Sequence, residues 1–200
     1  MKTVPTGQEK NAVAALQAYF QNNALLLCNE NAVLPYLGMV GGDWNAIVRL
    51  MEQGDVFYSK FYKKRVTYLS RAFYFALKPH RGRTERLSAT ARNVLAFLGG
   101  FGEANAETIQ AACMLEKKAY AAAMDELIFE LLVTATGRDQ TMNETWCSFF
   151  YGTSERWEQK RPGNGPQPGF GEAAEMLRGV FTEKQIDALL RQSRPKIQCV

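Results

Sequence analysis

Two hundred residues, 46% of them apolar, suffice for a proper hydrophobic core and for either one larger domain or two small ones. The formal net charge is only +4, and no apolar run nears the roughly 20 residues that cross a bilayer, so no membrane partner is expected. The start, Met1-Lys2-Thr3-Val4-Pro5, lacks the apolar stretch of a secretion signal, which makes a soluble, cytoplasmic protein the expectation.

The four cysteines, Cys28, Cys113, Cys147 and Cys199, never form a C-x-x-C pair. They read as reduced, mostly buried thiols, with neither a metal site nor a disulfide framework, and no cofactor is implied. Charge is unevenly spread. Lys60, Lys63, Lys64, Arg65, Arg71, Lys78, Arg81, Arg83, Arg86 and Arg92 stand against one acid, Glu85, so the rest of the chain is net acidic. Such a block can attract a polyanion through phosphate contacts and counterion release, or it can simply be a solvated surface.

In chain order, Thr6-Gly7-Gln8-Glu9 has capping-box spacing and predicts a helix from about Gly7 to Asn22. After the mixed stretch 24–40, Gly41-Gly42 breaks the chain. Asp43 then caps a short helix whose face is Trp44, Ile47, Val48 and Met51, ending at Gly54. Residues 56–69 are rich in valine, threonine and aromatics, with Lys63-Lys64-Arg65 in the middle. A hairpin with a basic tip fits; a continuous helix from Tyr58 to Phe75 is its competitor. Ser70 caps a helix that Pro79 ends, and His80-Arg81-Gly82-Arg83 is a basic connector.

From Ser88 to Tyr151 the order is three helices and a hairpin. Ser88 caps the first, with Gly99-Gly100 as its stop; Asn105 caps the second; Leu115 or Glu116 opens the third, with a core stripe of Tyr120, Met124, Leu127, Ile128 and Leu131. Leu132–Thr136 and Trp146–Tyr151 are strands around a polar wing, 137–143. Residues 160–171, rich in proline and glycine, form a linker, followed by two short helices marked by Met176-Leu177 and by Ile186, Leu189 and Leu190. The expected fold is mainly α (α+β), a winged helix-turn-helix in two tandem winged-helix-like modules. Its expected divisions are an N-terminal module 1–80, a winged helix 81–158, a linker 159–171 and a helical tail 172–200.

The run Val56-Phe57-Tyr58-Ser59-Lys60-Phe61-Tyr62, continued by Tyr68-Leu69-Ser70 and Leu77-Lys78-Pro79-His80-Arg81, resembles a stretch of the AlkZ/YcaQ family of winged-helix DNA glycosylases. Residues 87–137, the wing and Gly152-Thr153-Ser154-Glu155-Arg156-Trp157 are similar to that family's later winged-helix module. The resemblance implies tandem winged helices, association with duplex DNA and a DNA-repair context. The family's enzymes carry a glutamine, an apolar residue, then glutamine or aspartate, ahead of the segment aligned to Val56. Here that neighbourhood reads Leu25-Leu26-Leu27-Cys28-Asn29-Glu30, without glutamine. The one copy of the pattern, Gln185-Ile186-Asp187, lies on the last helix, where Ile186 is needed as a core residue.

No catalytic residue is therefore assigned, and the protein is read as a non-catalytic, non-specific DNA binder. Two alternatives stand beside it: a protein-interaction or dimerisation module, and a glycosylase for alkylated bases with an unrecognised active site. Candidate nucleic-acid contacts are Lys60, Lys63, Lys64 and Arg65 in the hairpin, Arg81 and Arg83 in the connector, Lys118 on the third helix and Arg138 in the wing. Lysines at a hairpin tip also keep a strand edge from pairing, so Lys63-Lys64-Arg65 has a purely structural reading too. Opposite the third helix's core stripe lie Lys118, Ala122, Asp125, Glu126 and Phe129. Two carboxylates there repel phosphate, and Phe129 implies a cover, supplied by the amino-terminal half or by a second copy.

Overall fold

The computed structural model describes residues 7–82, 84–143, 146–161 and 170–190; Thr6 and Arg83 lie outside them. Helix α1 (Gly7–Asn22) is followed by a strand, β1 (Leu25–Leu27), inside the stretch that sequence pattern left mixed. A 3-10 turn (Leu37–Val40) leads to α2 (Trp44–Gln53), where Asp43 accepts from the Ala46 N–H at 2.7 Å and Gly54, at φ 77°, ends the helix. Strands β2 (Val56–Ser59) and β3 (Thr67–Ser70) form the expected hairpin, which sets aside the continuous helix. Ser70 Oγ accepts from the Phe73 N–H at 3.2 Å and opens α3 (Arg71–Leu77).

The second half begins with α4 (Ala89–Phe101), capped by Ser88 as its sequence predicts. Gly99-Gly100 does not stop it. The helix runs two residues further, because the left-handed turn that ends it is made by Gly102, at φ 101°. Next come β4 (Glu103–Asn105), α5 (Ala106–Ala112) with Asn105 as its cap, and α6 (Lys117–Phe129). Strands β5 (Val133–Asn143) and β6 (Trp146–Thr153) then form a long hairpin. Residues 137–143, expected as an irregular wing, continue β5, with register shifts that absorb the polar stretch. The chain closes with α7 (Ser154–Gln159), α8 (Phe170–Leu177) and α9 (Glu183–Leu190). Most of the proline and glycine linker lies outside the described residues.

Among the described residues the fold is mixed α+β with two small antiparallel sheets, ordered β1-β3-β2 and β4-β6-β5. All four residues of β2, and all four of β3, are buried. Alternate side chains of a strand point to opposite faces, so Tyr58 and Tyr68 enter one core with α1, α2, α4 and α6, while Phe57 and Leu69 enter another with α3, α8 and α9. In the second core Phe57 stacks on Tyr74 at 4.3 Å, and Trp157 packs edge-on to both.

Candidate functional site

The outer edge of β2 is closed by the second half of the chain. Thr134 Oγ1 accepts from the Tyr58 N–H at 3.0 Å and donates to the Tyr58 carbonyl at 2.9 Å, and Trp157 Nε1 donates to the Val56 carbonyl at 3.2 Å. One hydroxyl thus satisfies both backbone groups of Tyr58. The hairpin does not need charged residues at its tip to prevent edge pairing.

At that tip the Arg65 N–H donates to the Tyr62 carbonyl at 2.8 Å, and the two central residues, Lys63 and Lys64, have φ of 48° and 58°. Positive φ at both central positions marks a type I′ turn, the usual place of Asn-Gly. Here each position holds a lysine, in a conformation that costs an L side chain about 1 kcal/mol. Lys63, Lys64 and Arg65 are all exposed; the Lys63 ammonium lies 5.3 Å from the Tyr62 ring centroid, and Arg65 reaches the Glu30 carbonyl at 3.4 Å. Tyr62 itself is held against Phe181 at 5.9 Å, so the connection between the helices Phe170–Leu177 and Glu183–Leu190 buttresses the turn.

The other candidate cations are dispersed and mostly engaged. Lys60, at the base of the hairpin, pairs with Asp125 of α6. Arg81 is 7% exposed: its guanidinium lies 4.5 Å from the Phe129 ring and 5.7 Å from the Phe61 ring, and donates to the Leu189 carbonyl at 3.0 Å. It fastens α9 to the hairpin from below and offers no surface to a polyanion. Arg138 donates to Asn45 Oδ1 at 2.6 Å, and its backbone N–H to Glu52, so β5 is tied to α2. Lys118 is exposed on the first turn of α6. The structure therefore presents Lys63, Lys64 and Arg65 together at the tip, spends Lys60, Arg81 and Arg138 on contacts within the chain, and leaves Lys118 exposed on a separate element, α6.

The acidic face of α6 is also consumed within the chain. Both Glu126 carboxylate oxygens are engaged at 2.7 Å, one by the Ser88 N–H and one by its hydroxyl. Asp125 holds Lys60, and Arg81 covers Phe129. The cover that Phe129 implied comes from the same chain, which removes the reason to invoke a second copy there.

Two further places bear on chemistry. Leu25, Leu26 and Leu27 form a buried strand, ahead of the first residue the hairpin segment contributes. Gln185, in the one copy of the pattern, accepts from the Thr182 N–H at 2.9 Å while the Gln185 N–H donates to Thr182 Oγ1 at 3.4 Å. This is a capping box, and Ile186 is buried. An open cleft of about 400 Å3 runs between α1 and α3 past Gln17, Gln21, Asp55 and Arg161. Burial pushes the Asp55 carboxyl up against the opposing pull of Arg161, 2.5 Å away, and of Arg71. Among the described residues no group of three or more metal-binding side chains occurs, and no helix is long and apolar enough to cross a membrane.

A family model described as AlkZ related matches residues 36–192, from the 3-10 turn to the end of α9. The chain belongs to the AlkZ-related family. The matched span takes in the basic hairpin and the whole second sheet but not β1, and the family gives the chain a DNA-related context. No curated protein and no solved structure matches the chain.

Proposed function

We propose that the chain is a tandem winged-helix protein that holds duplex DNA without sequence preference and without catalysis, through the basic tip of its first hairpin. Each half supports the architecture. A helix, a short strand, two further helical segments and a hairpin follow in order, and the first strand of each half pairs with the last, as the sheet orders β1-β3-β2 and β4-β6-β5 record. In the first half the 3-10 turn stands where the second helix would.

The observation that carries the function is the tip itself. Two exposed lysines occupy backbone positions suited to Asn-Gly on a hairpin whose edge Thr134 and Trp157 already close. Edge protection does not account for them; contact with phosphate does. The buried leucines of β1 support a non-catalytic reading.

Titration of a short duplex of mixed sequence at low and moderate salt tests this. Binding at micromolar protein that weakens steeply with salt is expected, with the salt slope falling by about one for each of Lys63 and Lys64 replaced by alanine. Binding indifferent to salt, or unaffected by both replacements, removes the proposal.

A further inference from the structure

The Lys60–Asp125 pair joins two elements that lie 65 residues apart in the chain. Lys60 is at the base of the basic hairpin, three residues before Lys63, so the two are at most about 10 Å of chain apart. Asp125 is on the exposed face of α6, and Lys118, seven residues earlier, falls on the same face about 10 Å away along the axis. Lys117, Lys118, Ala121 and Ala122 are all exposed there, so the first two turns of α6 offer cations and small side chains. Further along, Asp125 has Lys60 as its counter-ion, while Glu126 is turned to the Ser88 N–H and hydroxyl and keeps its charge; Glu116, at the helix start, is the exposed acid at that end.

We infer that this pair builds one composite polyanion-binding face, in which Lys117 and Lys118 act with Lys63, Lys64 and Arg65 while Lys60 serves as the counter-ion of Asp125 and not as a phosphate ligand. The inference rests on the DNA-binding reading above and adds to it a second contact element and a charge that works inside the protein. Across the pair the two cationic groups lie within roughly 25 Å, a span that covers a major groove about 12 Å wide and the phosphates on either side. With Lys60 removed, the Asp125 carboxylate would face the duplex within about one Debye length of the lysines, where like-charge repulsion from phosphate is felt.

Fluorescence anisotropy with a short mixed-sequence duplex, over a series of salt concentrations, tests each role. Lys117→Ala with Lys118→Ala should lower the salt slope by about two, as Lys63→Ala with Lys64→Ala does. Asp125→Asn should tighten binding several-fold. Lys60→Met should weaken it several-fold with the slope unchanged, and Lys60→Arg, which keeps the pair, should bind as the natural chain does. Circular dichroism melting of each variant establishes that it is folded. A slope that falls by about one in Lys60→Met, with no gain in Asp125→Asn, makes Lys60 a phosphate contact and overturns its counter-ion role. An unchanged slope in the Lys117 and Lys118 variant confines binding to the hairpin and overturns the composite face. Either result leaves the DNA-binding reading standing, whereas a natural chain that binds no duplex ends both.

Discussion

Lysines and arginines of one continuous basic block part company in the folded chain. Lys63 and Lys64 point into solvent from a strained turn, whereas Arg71 and Arg81 turn inward and are spent on backbone carbonyls. Arg71 donates to the carbonyls of Gly54, Glu158 and Arg161, at 2.9, 2.9 and 2.6 Å, with its guanidinium over the rings of Trp157 and Phe75. It thereby satisfies carbonyls left over at the ends of α2 and α7. A planar fork of donors can serve several carbonyls and an aromatic face at once, which a compact, strongly hydrated ammonium cannot. Positive charge in a sequence is therefore not yet positive charge on a surface.

The largest expected effect comes from deprotonation, against which the inward half of the molecule has no defence. Burial holds Tyr19 and Tyr151 up to about 12, and raises Tyr58, Tyr68, Tyr74 and Tyr120 as well, from a usual value of 10.0. The folded chain keeps these protons more tightly than the unfolded chain, so stability is unaffected below about pH 10 and falls as pH rises beyond it. Circular dichroism followed together with tyrosinate absorbance should show unfolding and tyrosine ionisation rising together above pH 10. Ionisation that precedes unfolding would mean these rings are more accessible than their burial indicates.

Replacing Arg71 sharpens the contrast between the arginines and the tip. Arg71→Ala should cost about 3 kcal/mol, and Arg71→Lys most of that, because the fork and not the charge is what matters. A Tm for Arg71→Lys equal to that of the natural chain would show the opposite. Thr134→Val preserves volume but strips both partners from Tyr58, and should cost about 2 kcal/mol in urea or thermal unfolding. Lys64→Gly should act in the other sense, raising stability by about 1 kcal/mol by relieving the left-handed backbone while weakening duplex binding several-fold. If both properties fall, the turn is a structural element and its lysine is not there for a ligand. Smallest of all, Gln185→Ala should lower stability by about 0.5 kcal/mol through the lost capping box, with no effect on any activity toward DNA.

Local chemistry made much of the fold legible. Asp43, Ser70, Ser88 and Asn105 each cap the helix their positions announce, and the basic hairpin stands where valine, threonine and aromatics are dense. Elements defined by distant pairing were not legible. β1 is three residues long and exists because Leu26 meets Tyr68, and β4 because Ala104 meets Tyr151. Gly99-Gly100 looked like a helix stop, yet the space around both is open and the left-handed φ belongs to Gly102. At the candidate site, three consecutive cations were correctly marked as a tip, but nothing local distinguishes Arg81, which closes over Phe129, from a surface arginine. The acidic face of α6 was visible; its engagement by the Lys60 ammonium and by hydrogen bonds from Ser88 was not, since both partners come from elsewhere in the chain.

The closed edge of β2 also dictates a history for each newly made molecule. Thr134 follows Tyr58 by 76 residues and Trp157 follows Val56 by 101, so the hairpin leaves the ribosome well before the groups that seal it. At a synthesis rate of about 5–20 residues per second, the nascent chain exposes an unpaired strand for several seconds. During that interval the Tyr58 N–H and carbonyl and the Val56 carbonyl have no partner within the chain, and the strand is open to pairing with another chain until the seal is made.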